Sequence, residues 1–235
     1  MNKKTKFALC SERLPAEAVK KLEKICDRVF LLPSDKKLSD PVCHHPDMIL
    51  TVIGDKLICD GDYFRENISI MKKICDISGL EPVLSEAPRG KSYPFDVGFN
   101  VLACEKYLFG NLKYTAPEVL EAAREKGLEA VNVNQGYTAC STLLLMNTVV
   151  TADPSVFEAA KDRLSALEVE SGGIVLEPYD TGFIGGATAY HDGVLYTFGE
   201  FQGFGELKEL LHEKNIEICP LFDGKLTDYG GIKFI

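Results

Sequence analysis

GFIGGATAYHDGVLYTFGEFQGFGELKELLHEKNIEICPL, residues 182–221, holds the pattern from which the rest of the chain can be read. A run of small residues opens it as a first strand, and Asp192-Gly193 supplies a tight-turn dipeptide. The alternation from Val194 to Phe198 predicts a second strand. Apolar residues at helical spacing predict an amphipathic helix from about Glu206 to Lys214, and a short strand follows from Ile216 to Leu221. This ββαβ succession recurs about five times.

The helices give the clearest self-match. Glu118-Val-Leu-Glu-Ala-Ala-Arg-Glu-Lys-Gly-Leu-Glu-Ala-Val131 aligns without a gap on Glu206-Leu-Lys-Glu-Leu-Leu-His-Glu-Lys-Asn-Ile-Glu-Ile-Cys219, with five of fourteen positions identical at an offset of 88. A second match pairs Lys24-Ile-Cys-Asp27 with Lys73-Ile-Cys-Asp76, an offset of 49. Turn dipeptides fall at Gly54-Asp55, Glu105-Lys106, Asn147-Thr148 and Asp192-Gly193, at spacings of 51, 42 and 45.

Helix-start signals follow each second strand: Asp60, the capping box Thr115-Ala-Pro-Glu118, and Asp153-Pro154. Helices are expected to end at Gly79, Gly127 and Asn215, which tolerate the left-handed conformation. Return strands are expected at Val83-Leu84, Val131 to Val133, Ile174 to Leu176 and Ile216 to Ile218.

Four units thus occupy approximately 45–94, 95–136, 137–181 and 182–225. The remainder is a fifth unit divided between the ends, 226–235 plus 1–44. Thr227 to Ile235 supplies its lone first strand. Lys6 to Cys10 is its second strand, followed by a helix from about Pro15 to Asp27 and a strand from Val29 to Leu32. A single domain over 1–235 is expected, with Ser34 to Pro46 and Ser85 to Pro94 as rim or lid loops.

Composition fits an ordinary globular chain of 235 residues, with 46% hydrophobic and 26% charged. No apolar run is long enough for a membrane span, and Phe7 to Cys10 is too short for a signal-peptide core. The eight cysteines include no Cys-x-x-Cys pair and sit in apolar runs, as buried thiols do in a reducing compartment. These features point to a cytoplasmic protein. The net charge of −9 argues against a nucleic-acid partner.

Five ββαβ units in a closed ring, the last split across the termini, resemble the pentein fold. That is the fold of arginine deiminases, dimethylarginine dimethylaminohydrolases and amidinotransferases, and of a non-enzymatic ribosome anti-association factor. The resemblance implies an α/β five-bladed propeller with pseudo-fivefold symmetry. In the enzymes of this fold, a late cysteine attacks a guanidinium carbon, a histidine transfers protons and acidic residues clamp the cation. The deiminase ending Gly-Gly-x-x-Cys corresponds here to Gly230-Gly231-Ile232-Lys233-Phe234, and the His-x-x-Thr segment to Ala139-Cys140-Ser141-Thr142. The chain is accordingly identified as a divergent member without the usual catalytic cysteine and histidine.

Counting seven residues back from each turn aligns Asp47, Gly98, Cys140 and Gly185, and their neighbours add His45, Asp96, Asn100, Ser141, Thr142 and Asp228. These positions are expected to converge on the ring's centre. Cys140 is the candidate nucleophile, with His45 across the pore as its base. The competing reading makes Cys140 a small buried strand residue. His45, Asp47, Asp96, Asn100, Ser141 and Asp228 are the candidate ligand-binding residues.

Cys43-His-His-Pro-Asp47 matches no structural zinc spacing, so no metal is expected from it. No cofactor is expected either, because no phosphate or dinucleotide fingerprint is present. Cys26, Cys75 and Cys219 read as core, His191 as a solvated turn neighbour, and His212 as exposed. Three functions remain open: a binder of a small ligand, of which cationic, guanidino or amino-acid-like compounds are candidates; a C–N hydrolase or amidinotransferase-like enzyme using Cys140; and a macromolecule-binding module.

Overall fold

The computed structural model describes residues 7–235. The expected strand start at Lys6, and the basic segment 1–6, lie outside the described residues. The chain begins with β1 (Phe7–Ser11), α1 (Ala16–Leu22) and β2 (Arg28–Leu32). The next unit holds α2 (Pro46–Ile49), β3 (Leu50–Ile53), β4 (Lys56–Asp60), α3 (Gly61–Glu66), α4 (Ile68–Ser78) and β5 (Glu81–Ser85). Then come β6 (Leu102–Cys104), β7 (Tyr107–Gly110), α5 (Pro117–Glu125) and β8 (Glu129–Asn132). The following unit comprises β9 (Thr142–Leu145), β10 (Thr148–Thr151), α6 (Pro154–Lys161) and β11 (Ser165–Glu168). The last complete unit has α7 (Ile184–Ala187), β12 (Thr188–His191), β13 (Val194–Thr197), α8 (Gly205–Glu213) and β14 (Glu217–Pro220), and β15 (Lys233–Phe234) ends the chain.

The strands form five three-stranded sheets of one design. In each, the first strand pairs antiparallel with a central strand, which pairs parallel with the strand after the helix. The sheet of the divided unit obeys the same rule. β15 lies antiparallel to β1 (Ala8 opposite Phe234), and β1 lies parallel to β2. The termini therefore meet inside one sheet and the ring closes.

Packing explains why the units stay together. The helix that follows the central strand of each unit (α1, α4, α5, α6 and α8) is wedged between its own sheet and that of the preceding unit. The buried face of α5 (Val119, Ala122, Ala123) meets Leu108 of its own sheet and Ile53 and Ile58 of the previous one. Val156 and Ala160 of α6 pack on Val149, and on Leu102, Phe109 and Val131. Leu207 and Leu211 of α8 reach Leu195 and also Leu143 and Val150. The ring is completed by α4 packing on Phe7, Leu9 and Phe30, and by α1 packing on Tyr196 and Phe198. A single unit could not bury both faces of its helix, so the repeats are stable only as neighbours.

Several local expectations hold. Asp60 and Asp153 each accept two backbone N–H bonds at a helix start. Gly79, Gly127 and Asn215 take the left-handed conformation. The offset of 88 between α5 and α8 is kept at both helix ends.

Other expectations are corrected. Thr115 does not cap α5: Ala116 stands at that position, and the Thr115 hydroxyl donates to the Asn111 carbonyl instead. The third unit's return strand is β11, whereas Val175 and Leu176 form only isolated bridges within a long loop. The hairpin turn before β10 is Met146-Asn147, one residue earlier than expected. Lys73–Asp76 lies in α4, but α1 stops at Leu22 and Lys24–Asp27 forms a turn. Cys219 is half-buried at the core margin. His191 stacks on Phe234 with ring centroids 4.3 Å apart, and is not simply solvated. Gly185 and Gly186 belong to the helical turn α7, not to a strand, and so does Asp47 to α2.

Among the described residues no helix is long and apolar enough to cross a membrane.

Candidate functional site

The five inner strands surround a cavity of ≈380 Å³ on one face, to which β3, β6, β9, β12 and β15 all contribute side chains. Asp47 and Thr142 line it, with Lys233. A second, smaller cavity of ≈170 Å³ has Cys140, His45 and Asp228 among its lining residues. Its walls are Tyr137, Tyr179, Phe183, Leu176, Val42 and Thr181. Asp47 therefore lines the first cavity while His45 and Cys140 line the second.

Backbone turns set these side chains in place. His45 stands at the N-cap position of α2, and its carbonyl accepts from the Met48 and Ile49 N–H groups. Pro46 follows at the first helical position, where its missing N–H costs nothing. Cys140 lies in the turn before β9, where the Ser141 N–H reaches back to the Tyr137 carbonyl.

Asn100 ties the two turns together. Its carbonyl oxygen accepts from the Ala139 and Cys140 N–H groups at 2.7 and 3.2 Å. Its amide donates to the Asp47 carbonyl at 3.1 Å and lies 3.0 Å from the Cys140 sulfur. Asp228 accepts from the Phe183 and Gly230 N–H groups at 2.9 and 3.0 Å, and its Oδ1 is 3.6 Å from Nδ1 of His45.

Two glycines make this convergence possible. Gly230 adopts a φ of +76°, and a Cβ there would collide with His45. A Cβ on Gly186 would overlap the Asp228 carboxylate. Glycine therefore lets the backbone approach these side chains closely.

The centre is buried and, among the described residues, short of hydrogen-bond partners. His45, Asp47, Cys140 and Asp228 are all buried. Among the described residues, neither ring nitrogen of His45 has a hydrogen-bond partner, and neither has Oδ1 of Asp47. Burial raises the Asp47 and Asp228 carboxyls to about 6 each, and lowers the His45 imidazole to about 4 against the opposing pull of Asp47. Burial, reinforced by Asp47 and Asp228, pushes the Cys140 thiol well above its usual range. One donor atom each from His45, Asp47 and Cys140 lies within 4.8 Å of the other two.

The remaining expected residues lie further out. Asp96 accepts from the Tyr137 hydroxyl at 2.9 Å, behind the cavity wall, and its second oxygen has no hydrogen-bond partner among the described residues. Ser141 donates to the Thr138 carbonyl and borders a separate hollow of ≈80 Å³. Asn100 touches Cys140 without lining either cavity. Sequence reasoning missed the aromatic wall. Tyr137 opens the turn that carries Cys140, Phe183 stands at the N-cap position of α7, and Tyr179 comes from the loop expected to hold a strand. The Pro178-Tyr179-Asp180 break in that apolar run was the available signal.

Solved structures of similar architecture exist. A dimethylarginine dimethylaminohydrolase from Pseudomonas aeruginosa, in complex with citrulline, matches with TM-score 0.58 at 13% identity, covering 92% of this chain and 91% of the other. AgrE, in a ternary complex with ornithine and NAD+, matches with TM-score 0.56 at 10% identity over 97% of this chain and 38% of its own. ArgZ, an arginine dihydrolase of the cyanobacterial ornithine-ammonia cycle, matches with TM-score 0.52 at 12% identity, over 92% and 36% respectively. At these identities the likeness concerns the fold, which is the pentein fold. No curated protein matches the sequence. A family described as of unknown function, DUF6873, matches residues 9–233. The chain belongs to that family, and its fold is that of the penteins.

Proposed function

We propose that the protein binds one small organic cation, of the amine or guanidine class, in the ≈170 Å³ cavity. The observation that carries this reading is Asp228, a buried carboxylate to which no lysine or arginine is bonded among the described residues, at a cavity walled by Tyr137, Tyr179 and Phe183. The two backbone N–H bonds to Asp228 leave further lone pairs for a donor. Aromatic faces favour a cation over a neutral group. The volume lies below the ~300–1,000 Å³ typical of drug-sized sites, which restricts the ligand to a small molecule. The amino-acid ligands named for structures of this fold, citrulline and ornithine, are of compatible size class.

Binding is preferred to nucleophilic catalysis because Cys140 is held protonated, by burial first and by Asp47 and Asp228 next. The His45 imidazole is itself neutral and supplies no positive field.

Calorimetric titration of chelator-treated protein with ethylguanidine, butylamine and their neutral isosteres tests the reading. The cations should bind and the isosteres should not. Asp228→Asn should weaken cation binding by about 10–100-fold, the range of a charge-assisted hydrogen bond. Tyr179 is 53% exposed, so its substitution should leave the fold intact. Tyr179→Ala should also weaken binding. No binding of any cation, or equal binding of cation and isostere, would overturn the proposal.

A further inference from the structure

We infer that His45, Asp47 and Cys140 form a binding site for one divalent transition-metal ion, with zinc the best match to the donor set. This goes beyond the organic-cation reading. His45 and Asp47 come from the first turn of α2 and Cys140 from the turn before β9, so no single stretch of sequence carries the site. Their donor atoms lie within 4.8 Å of one another. In a tetrahedral zinc site, metal–donor lengths near 2.0–2.3 Å place donors about 3.4–3.7 Å apart, so a contraction of roughly 1 Å completes the geometry.

Unpaired polar atoms are the second, independent observation. Among the described residues, both ring nitrogens of a fully buried histidine and one oxygen of a buried aspartate lack a hydrogen-bond partner. Such groups are costly to bury, and a metal ion would engage two of the three. A set of nitrogen, carboxylate oxygen and sulfur suits a borderline-soft ion such as Zn²⁺ and is poor for Mg²⁺ or Ca²⁺. Three protein ligands leave a fourth position open. Because His45 and Cys140 line the smaller cavity, that cavity gives the ion access.

The surroundings have the outer contacts such sites need. The Asp228 carboxylate lies 3.6 Å from Nδ1 of His45, where it would orient the ring, and the Asn100 amide lies 3.0 Å from the Cys140 sulfur. On binding, the Cys140 thiol gives its proton to solvent and the sulfur–metal bond forms, with no change of oxidation state. A dication held by one thiolate and one carboxylate is neutral overall. Asp228 then keeps its charge for the cavity ligand, so the two sites are compatible.

Titration of chelator-treated protein with cobalt(II) chloride, then competition with zinc chloride, tests this. One cobalt per chain should bind and give a near-ultraviolet thiolate-to-cobalt charge-transfer band, which zinc removes. Cys140→Ser is nearly isosteric and should lose the band and at least 100-fold in affinity. Asp228→Asn should lose about 10–100-fold, as outer-sphere variants do. Cys43→Ser should bind as the parent does, since Cys43 bonds Arg13 and lies outside the cluster. No cobalt uptake by the parent, a band surviving in Cys140→Ser, or a band lost in Cys43→Ser would overturn the inference. Chelator-treated protein that binds ethylguanidine but takes up no cobalt would overturn the metal site alone. The reverse result would overturn the organic-cation site alone.

Discussion

Arg89→Met is expected to cost about 3–5 kcal/mol of folding stability, the range for breaking one partner of a buried ion pair. The Arg89 and Asp35 side chains are only 3% and 4% exposed, and their Nη1–Oδ2 distance is 2.7 Å. A second guanidinium nitrogen donates to the Met48 carbonyl at 2.9 Å, and the charge sits 4.9 Å from the centre of the Phe99 ring. The variant removes a charge-assisted hydrogen bond worth about 1.5–3 kcal/mol and a neutral-acceptor bond worth about 1 kcal/mol. It also removes a desolvated cation–π contact of up to about 2 kcal/mol. Methionine keeps much of the aliphatic stem's packing, which offsets part of that loss.

The melting temperature should fall by roughly 6–20 °C, since each kcal/mol shifts a protein of this size by roughly 2–4 °C. Urea unfolding followed by circular dichroism measures the loss directly. Adding Asp35→Leu should recover about 2 kcal/mol or more, because the stranded carboxylate accounts for much of the cost. A single variant within about 0.5 kcal/mol of the parent would refute the reasoning, 0.5 kcal/mol being the usual effect of a surface change. So would a double variant no more stable than the single one.

Three further outcomes follow from the same contacts. Gly186→Ala should push Asp228 out of place, cost about 1–3 kcal/mol and abolish cation binding, as read by urea unfolding and calorimetry. Asp153→Ala should cost about 0.5–2 kcal/mol of stability through loss of the two N–H bonds it accepts at the start of α6, with ligand affinity unchanged. Because α1, α4, α5, α6 and α8 are each wedged between two units, chain unfolding should be one cooperative transition, coincident by tyrosine fluorescence and circular dichroism; two separated transitions would contradict the expectation of a single domain.

The fold could be read from the sequence because its repeat is written in local chemistry. Turn dipeptides, the aspartates that cap α3 and α6 and the helix-ending Gly79, Gly127 and Asn215 act within a few residues of themselves. Errors arose where a distant contact outweighed the local signal. Thr115 has a capping-box pattern, yet its hydroxyl bonds to Asn111. Val175 and Leu176 look like a strand, but residues of the ring's centre engage this loop: the Asp228 N–H donates to the Val175 carbonyl.

Counting back from the turns brought out Asp47, Cys140 and Gly185 as equivalent positions. It could not say that Asn100 would bond to Cys140, or that Ser141 would turn away. Those facts depend on which rotamer each neighbouring unit permits. Tyr179 was illegible for a similar reason. It borders the cavity only because of the path taken by an irregular loop, and nothing periodic marks such a path.

The most direct test of the account is a crystal structure of the protein grown with saturating ethylguanidine. The account predicts the guanidinium within hydrogen-bond distance of the Asp228 carboxylate, bordered by Tyr137, Tyr179 and Phe183. A guanidinium bound elsewhere, with the cavity at Asp228 holding only water, would contradict it.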